Sequence, residues 1–226
     1  MDRHRPRMAL GFRSSILLPF LLLSLRCSAQ SHFTVSQRIA QFGDAARERM
    51  KPAFERAKVS YPPKRIALLG LKQERRLQLY AVNQLGKWVK ILDYPILAAS
   101  GTAGPKLREG DRQVPEGVYK ISSLNPNSRF HVSLRVDYPN ANDRQRATVD
   151  GRSNLGSDIM IHGSNRSIGC LAMGDTVAEE LFTLAHDTKL ENIVLVLAPH
   201  DYRVKKLIGT DPLQTEIQRR MNFFPR

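Results

Sequence analysis

Ile159-Met160-Ile161-His162-Gly163-Ser164-Asn165-Arg166-Ser167-Ile168-Gly169-Cys170-Leu171-Ala172-Met173 is the stretch on which the reading of this chain turns. Ile159 to Ile161 is a short apolar run, read as a buried strand leading straight into His162-Gly163. After Cys170, Asp175 or Thr176 can cap a helix that carries Val177, Leu181, Leu184 and Ala185 on one face. A histidine and a cysteine therefore bracket a polar loop between a strand and a helix.

That placement suits acyl transfer. A free thiol, with a pKa near ~8.5, is only slightly ionised at neutral pH. A histidine beside it can take the proton and stabilise the thiolate. The tetrahedral intermediate needs backbone N–H donors aimed at its oxyanion. Gly169 lets the chain turn tightly before Cys170, and a helix starting soon after would lower the thiol pKa further. Ser167, Ile168, Gly163 and Ser164 complete the supporting loop, with the two serines able to orient the imidazole or line the site. Plainer readings stand beside this one: His162 as a structural histidine at a strand end, and Cys170 as a small buried hydrophobe. A zinc site from His162, Cys170 and His186 or His200 lacks the close paired spacings of zinc motifs.

Strand signals surround the stretch. Ile66 to Leu71 and Leu77 to Val82 flank a charged turn and read as a hairpin. Trp88 to Leu97 is another strand or pair, broken near Tyr94-Pro95, with Trp88 in the core. Residues 101–115 read as a loop. Gly117 to Leu124 and Phe130 to Tyr138 read as strands joined by a turn at Asn125-Pro126-Asn127-Ser128. A polar loop is expected from Pro139 to Asp158, and a last buried strand from Ile193 to Leu197. Upstream, Ile39, Phe42, Ala46, Met50 and Phe54 form one helical stripe, which Pro52 should kink or split and Tyr61-Pro62-Pro63 should stop. Downstream, Thr210-Asp211-Pro212 opens a helix with Leu213, Ile217 and Met221 on its apolar side. The fold class is mostly β with flanking helices. Residues 30–64 form an N-terminal helical extension, 65–198 a β domain, and 199–226 a C-terminal helical extension.

Residues 1–29 read as a secretory signal peptide: a basic start at Arg3, Arg5, Arg7 and Arg13, the apolar run Ile16–Leu25, and cleavage after Ala29. The run is shorter than the ~20 residues that span a bilayer, and Pro19 interrupts it, so no stable membrane span is expected. Arg26 before Cys27 argues against a lipoprotein. Cleavage removes Cys27 and leaves Cys170 alone, so no internal disulfide is available in an oxidising compartment. The formal charge is +14; residues 1–29 hold five arginines and one aspartate, leaving +10 on the exported part. No aromatic-rich basic motif of a nucleic-acid module is present, so an anionic wall polymer or membrane surface fits the charge better, and a charge that only keeps the protein soluble stands equally beside it. The basic run Arg203 to Lys206 is expected to be a solvated surface.

His162-Gly163 with Ser167-Ile168-Gly169-Cys170 resembles the His-Gly … Ser-x-Gly-Cys signature of the L,D-transpeptidase catalytic domain, the YkuD-type family, in its YafK-like branch. Gln113 to Tyr119, Leu124 to His131 and Tyr138 to Ala141 support it. The resemblance implies a YkuD-type β-sandwich-like domain. It also implies a periplasmic enzyme in which Cys170 attacks the diaminopimelate carbonyl of a peptidoglycan stem peptide, with His162 as base. The thioester is resolved by an amine, making a cross-link or attaching a protein, or by water, as in a hydrolase or amidase. A wall-attached protein then serves as acceptor or leaving group. No cofactor and no metal ion is called for. The wider family has a histidine before the motif glycine and an arginine two residues after the cysteine; here these are Ile168 and Ala172. The substrate carboxylate must therefore be held elsewhere, and Arg166 or a basic residue of the loop 104–112 is the expectation. His131, Tyr138 and Asn140 are further candidates, each with a structural role as the plainer reading.

Overall fold

The structure, a computed structural model, describes Met1 and residues 32–226. Apart from Met1, the expected signal peptide and its cleavage point lie outside the described residues. His32–Arg226 forms one compact unit.

Helix α1 (Val35–Arg56) starts at Thr34, whose side chain accepts from the Gln37 N–H while the Gln37 side chain returns to the Thr34 N–H, a reciprocal cap. Its stripe buries Phe42, Ala46, Met50 and Phe54. Pro52 does not split the helix: it lies close to the end, where few bonds remain to be lost.

Two sheets form the body. Sheet A contains β1 (Ile66–Leu71), β2 (Arg76–Val82), β3 (Trp88–Pro95), β4 (Gly117–Tyr119) and β9 (Ile193–Ala198), in the order β3-β2-β1-β9-β4. Sheet B contains β5 (Ile121–Ser128), β6 (His131–Val136), β7 (Met160–His162) and β8 (Leu171–Ala172), in that order. β9 runs parallel to β1 and β8 parallel to β7; the other pairings are antiparallel. Neither sheet closes into a barrel among the described residues. The fold is two mixed sheets with four flanking helices, three of them expected.

Alternation along the strands sets the layers. Ile66, Leu68, Leu77, Leu79, Leu195 and Leu197 of sheet A share one core with Val132, Leu134, Val136, Ile161 and Leu171 of sheet B. α1 and α3 (Asp175–Thr188) contribute Met50, Phe54, Leu181 and Leu184 to it. The opposite face of sheet A, with Ala67, Leu69, Tyr80 and Val196, is closed by Ile217 and Met221 of α4 (Pro212–Met221) and by Phe224.

Three expectations change. The turn lies at Arg129-Phe130, not at residues 125–128: β5 continues to Ser128, which pairs with His131, and Asn127 exchanges hydrogen bonds with the backbone of Phe33. The polar segment 139–158 holds a helix, α2 (Ala141–Val149), fixed by a reciprocal cap between Asn140 and Asp143. In the basic run, Arg203 is not solvated. Its side chain, 5% exposed, pairs with Asp201 and donates to Tyr80, Gln78 and the Pro225 carbonyl.

Candidate active site

The site is built on the outer face of sheet B. The parallel register pairs Ile161 with Leu171 and His162 with Ala172. One step back, Cys170 stands opposite Met160, whose N–H donates to the thiol at 3.4 Å. Side chains two apart on a strand share a face. Ile161 and Leu171 point into the core, so His162 and Cys170 both point outward from neighbouring strands, in diagonal positions. Diagonal neighbours on a sheet face are roughly 7–8 Å apart at the backbone, within reach of a side-chain pair.

His162 is 2% exposed. Its Nδ1 lies 2.6 Å from the Gly163 carbonyl, and a carbonyl only accepts, so Nδ1 carries the proton and Nε2 holds the free lone pair. Nε2 is buried without a protein partner. Phe130 stacks on the ring at 4.6 Å, with an interplanar angle of 23°. Burial lowers the imidazole pKa, and the Gly163 carbonyl partly offsets this. The ring is thus neutral at pH 7, with the Nε2 lone pair unpartnered. Gly163 is glycine because its neighbours press on it: a Cβ there would collide with Asp175 Oδ1 and meet the Phe130 carbonyl at 2.7 Å.

Cys170 is half-buried. Its thiol donates to the Asp158 carbonyl at 3.5 Å and accepts from Met160. Burial raises its pKa; the Met160 N–H opposes this, the Asp158 charge adds to it, and Lys106 opposes it. The resting pair is therefore neutral thiol and neutral imidazole. Gly169 has φ +89°, and its N–H donates to Ser100 Oγ. Ser167 Oγ accepts from the Cys170 N–H at 2.9 Å and donates to the Cys170 carbonyl. The amides of Gly169 and Cys170, next to the thiol, are thus held by neutral hydroxyls, weaker acceptors than an anion. Ser164, at φ +61°, gives its N–H to Asp175. Ile168 is 75% exposed at the rim.

A family model described as the L,D-transpeptidase catalytic domain (YkuD) matches residues 65–196, more than half of the chain. The chain belongs to this family. Two curated Escherichia coli proteins, from strains K12 and O157:H7 and each named "Putative L,D-transpeptidase YafK", are 40% identical to it over 114 residues, 49% of this chain and 43% of theirs. The chain thus spans less than half the length of those relatives. The crystal structure of the helical cell shape determining protein Pgp2 from Campylobacter jejuni aligns with a TM-score of 0.51 at 21% identity, covering 76% of this chain and 57% of that one. This is a likeness of fold.

Within the L,D-transpeptidase domain, the other expected residues are spread out. Tyr138 is 5% exposed and donates to the Leu155 carbonyl at 3.1 Å. The Asn140 side chain accepts from the N–H groups of Asn142 and Asp143 and donates to the Val118 carbonyl, so its capacity goes to the α2 cap and β4. His131 turns to Glu179 at 3.0 Å and packs on Phe42. Arg166 is exposed on the loop between His162 and Cys170. Lys106 of the 104–112 loop is buried against Asp111, whose pKa falls to about 2 although burial opposes the shift; the Lys106 hydrogen bond and three backbone N–H groups bring it down. His186 and His200 pair with Asp187 and the Lys205 carbonyl, away from Cys170. Among the described residues, no group of three His, Cys, Asp or Glu is placed to hold a metal ion. Sequence reasoning missed Ser100 and Phe130, which reach the site from distant segments with no local signal.

Proposed function

We propose that this protein is an exported cysteine enzyme that transfers acyl groups at the diaminopimelate carbonyl of peptidoglycan stem peptides. The observation that carries the proposal is the placement of Cys170 and His162 on one sheet face, with Nε2 unprotonated and unpartnered. The thiol first turns about its Cα–Cβ bond from the Asp158 carbonyl toward His162; such contacts commonly tighten only when substrate binds. His162 Nε2 takes the thiol proton as Sγ attacks the carbonyl carbon. The oxyanion displaces Ser167 Oγ and Ser100 Oγ from the N–H groups of Cys170 and Gly169. The tetrahedral adduct collapses, His162 returns its proton to the departing amine, and a thioester remains on Cys170. An amine attacks next, giving its proton to His162 and restoring the thiol. Gly163, Ser164 and Ile168 support the loop, and a wall-attached protein serves as acceptor or leaving group. Membership of the L,D-transpeptidase family and the likeness to the YafK proteins support this reading. Export rests on the leader read in residues 1–29. Among the described residues, no helix is long and apolar enough to cross a membrane.

The test is mass-resolved chromatography of tetrapeptide muropeptides, alone and with a lysine-linked peptide at diaminopimelate, after incubation with wild type and with Cys170→Ala. Exchanged or cross-linked species that vanish in the variant are expected. Shortened tripeptide species alone would make the enzyme a hydrolase or amidase of the same bond. No Cys170-dependent product from any substrate would leave a wall-binding protein without turnover.

A further inference from the structure

We propose that Arg135 is the residue that holds a substrate carboxylate beside Cys170. This rests on the acyl-transfer reading above. The register of sheet B places Arg135 opposite Met160, and Met160 opposite Cys170, so the three share one row on the outer face. Adjacent strands are about 4.8 Å apart, so the Arg135 and Cys170 backbones are separated by roughly twice that, a gap an arginine side chain crosses. The Arg135 side chain is 44% exposed, on a strand that fixes its root.

A carboxylate already sits there. The Arg135 guanidinium bonds Asp158 Oδ1 at 2.7 Å, and the backbone carbonyl of that same Asp158 holds the thiol at 3.5 Å. Asp158, 65% exposed and at φ +59°, thus ties its carboxylate to the guanidinium while its own carbonyl meets the nucleophile. Exposed pairs of this kind are weak and readily exchanged, so an incoming carboxylate can take the place of Asp158. Because the thiol rests on the backbone carbonyl of the same residue, the exchange loosens the segment that holds it. Lys106, by contrast, is spent on Asp111, and Arg166 rides an exposed loop.

A stem peptide offers two carboxylates near the scissile bond: the free one at the far end of diaminopimelate, and the C-terminal one of the D-alanine that leaves. Three tetrapeptides separate them: native, amidated at diaminopimelate, and amidated at the C-terminus. Calorimetric titration into Cys170→Ala protein measures binding without turnover. Adding Arg135→Gln is expected to weaken the native peptide about 10- to 100-fold. One amidated peptide should bind the Arg135 protein equally weakly and lose nothing further on the substitution, which identifies the carboxylate. Asp158→Ala should tighten native binding, because it removes the internal competitor. Equal losses for all three peptides, no loss for the native one, or weaker binding in Asp158→Ala would each overturn the assignment of Arg135. If the peptides bind and wild type turns them over without dependence on Arg135, the enzyme reading survives alone. If no peptide binds either protein, that reading falls and this inference with it.

Discussion

Sheets A and B are pleated alike, and their inner faces share one core, but their outer faces are put to opposite uses. The outer face of sheet A carries Ala67, Leu69, Leu71, Tyr80, Val196 and Ala198, and α4 with Phe224 shuts it from water. The outer face of sheet B carries Arg135, Met160, Ser133 and His162, with Cys170 at its margin. One alternating pattern thus yields a sealed apolar layer in one sheet and a chemical surface in the other. The difference is readable in the strands: β1 and β9 are apolar at nearly every position, as two-sided burial requires, whereas β6 alternates polar with apolar.

The sharpest way to break this contrast is to cut each outer face and read both stability and rate. Cys170→Ala should lower turnover at least about 1000-fold, as for the loss of a nucleophile that works with its base. Its melting temperature should stay close to wild type, since the half-buried thiol makes only two long hydrogen bonds. Met221→Ala, at 0% exposure under sheet A, should do the reverse. It should cost about 2–5 kcal/mol of stability, with turnover per folded molecule within a factor of two. A large rate loss in Met221→Ala would mean that the two faces are coupled through β1 and β9.

Legibility from the sequence follows the same divide. Long, strongly patterned elements could be read directly: the Ile66–Val82 hairpin, the stripe of α1, the face of α3 and the Asp211-Pro212 start of α4. α2 was hidden because only Asp143 and Ala147 of it are buried, leaving no apolar stripe; its one signal was Asn140 followed three residues later by Asp143. The 125–128 turn failed because Asn127 is held by Phe33 of the N-terminal arm, a contact no local propensity encodes. In the site, Cys170 and His162 were legible because one short parallel pairing brings them together from one stretch of chain. Ser100, Phe130, Arg135 and the α2 cap duty of Asn140 depend on strand order, which sequence spacing does not carry.

His162→Ala sharpens the reading of the chemical face. A lost general base should slow thioester formation by about 100-fold, with the fold retained. The pH profile carries the sign. Burial holds the folded imidazole below its ordinary value, so the neutral, competent base persists as pH falls below about 6.5. The acid limb of wild-type acylation should therefore lie under that value, and it should disappear in His162→Ala. An acid limb unchanged in the variant would assign the titration to another group.

The smallest effect concerns the edge where α1 docks on α3, between the sealed and the chemical faces. Arg47 forks onto both oxygens of Asp187, and the Tyr61 hydroxyl donates to the same carboxylate. Burial alone would raise the Asp187 pKa, but the hydrogen bonds from Arg47, His186 and Tyr61 outweigh it and bring the pKa down. A carboxylate depressed in the folded state stabilises it above its unfolded pKa of about 3.9 and loses that contribution as pH falls through the folded value. Asp187→Asn should therefore lower the melting temperature modestly at pH 7, by an amount matching about 1 kcal/mol or less for a partly exposed pair. As pH falls through that folded value the variant and wild type should converge. A gap that persists at low pH would show that Asp187 acts through the shape of its contacts rather than through its charge.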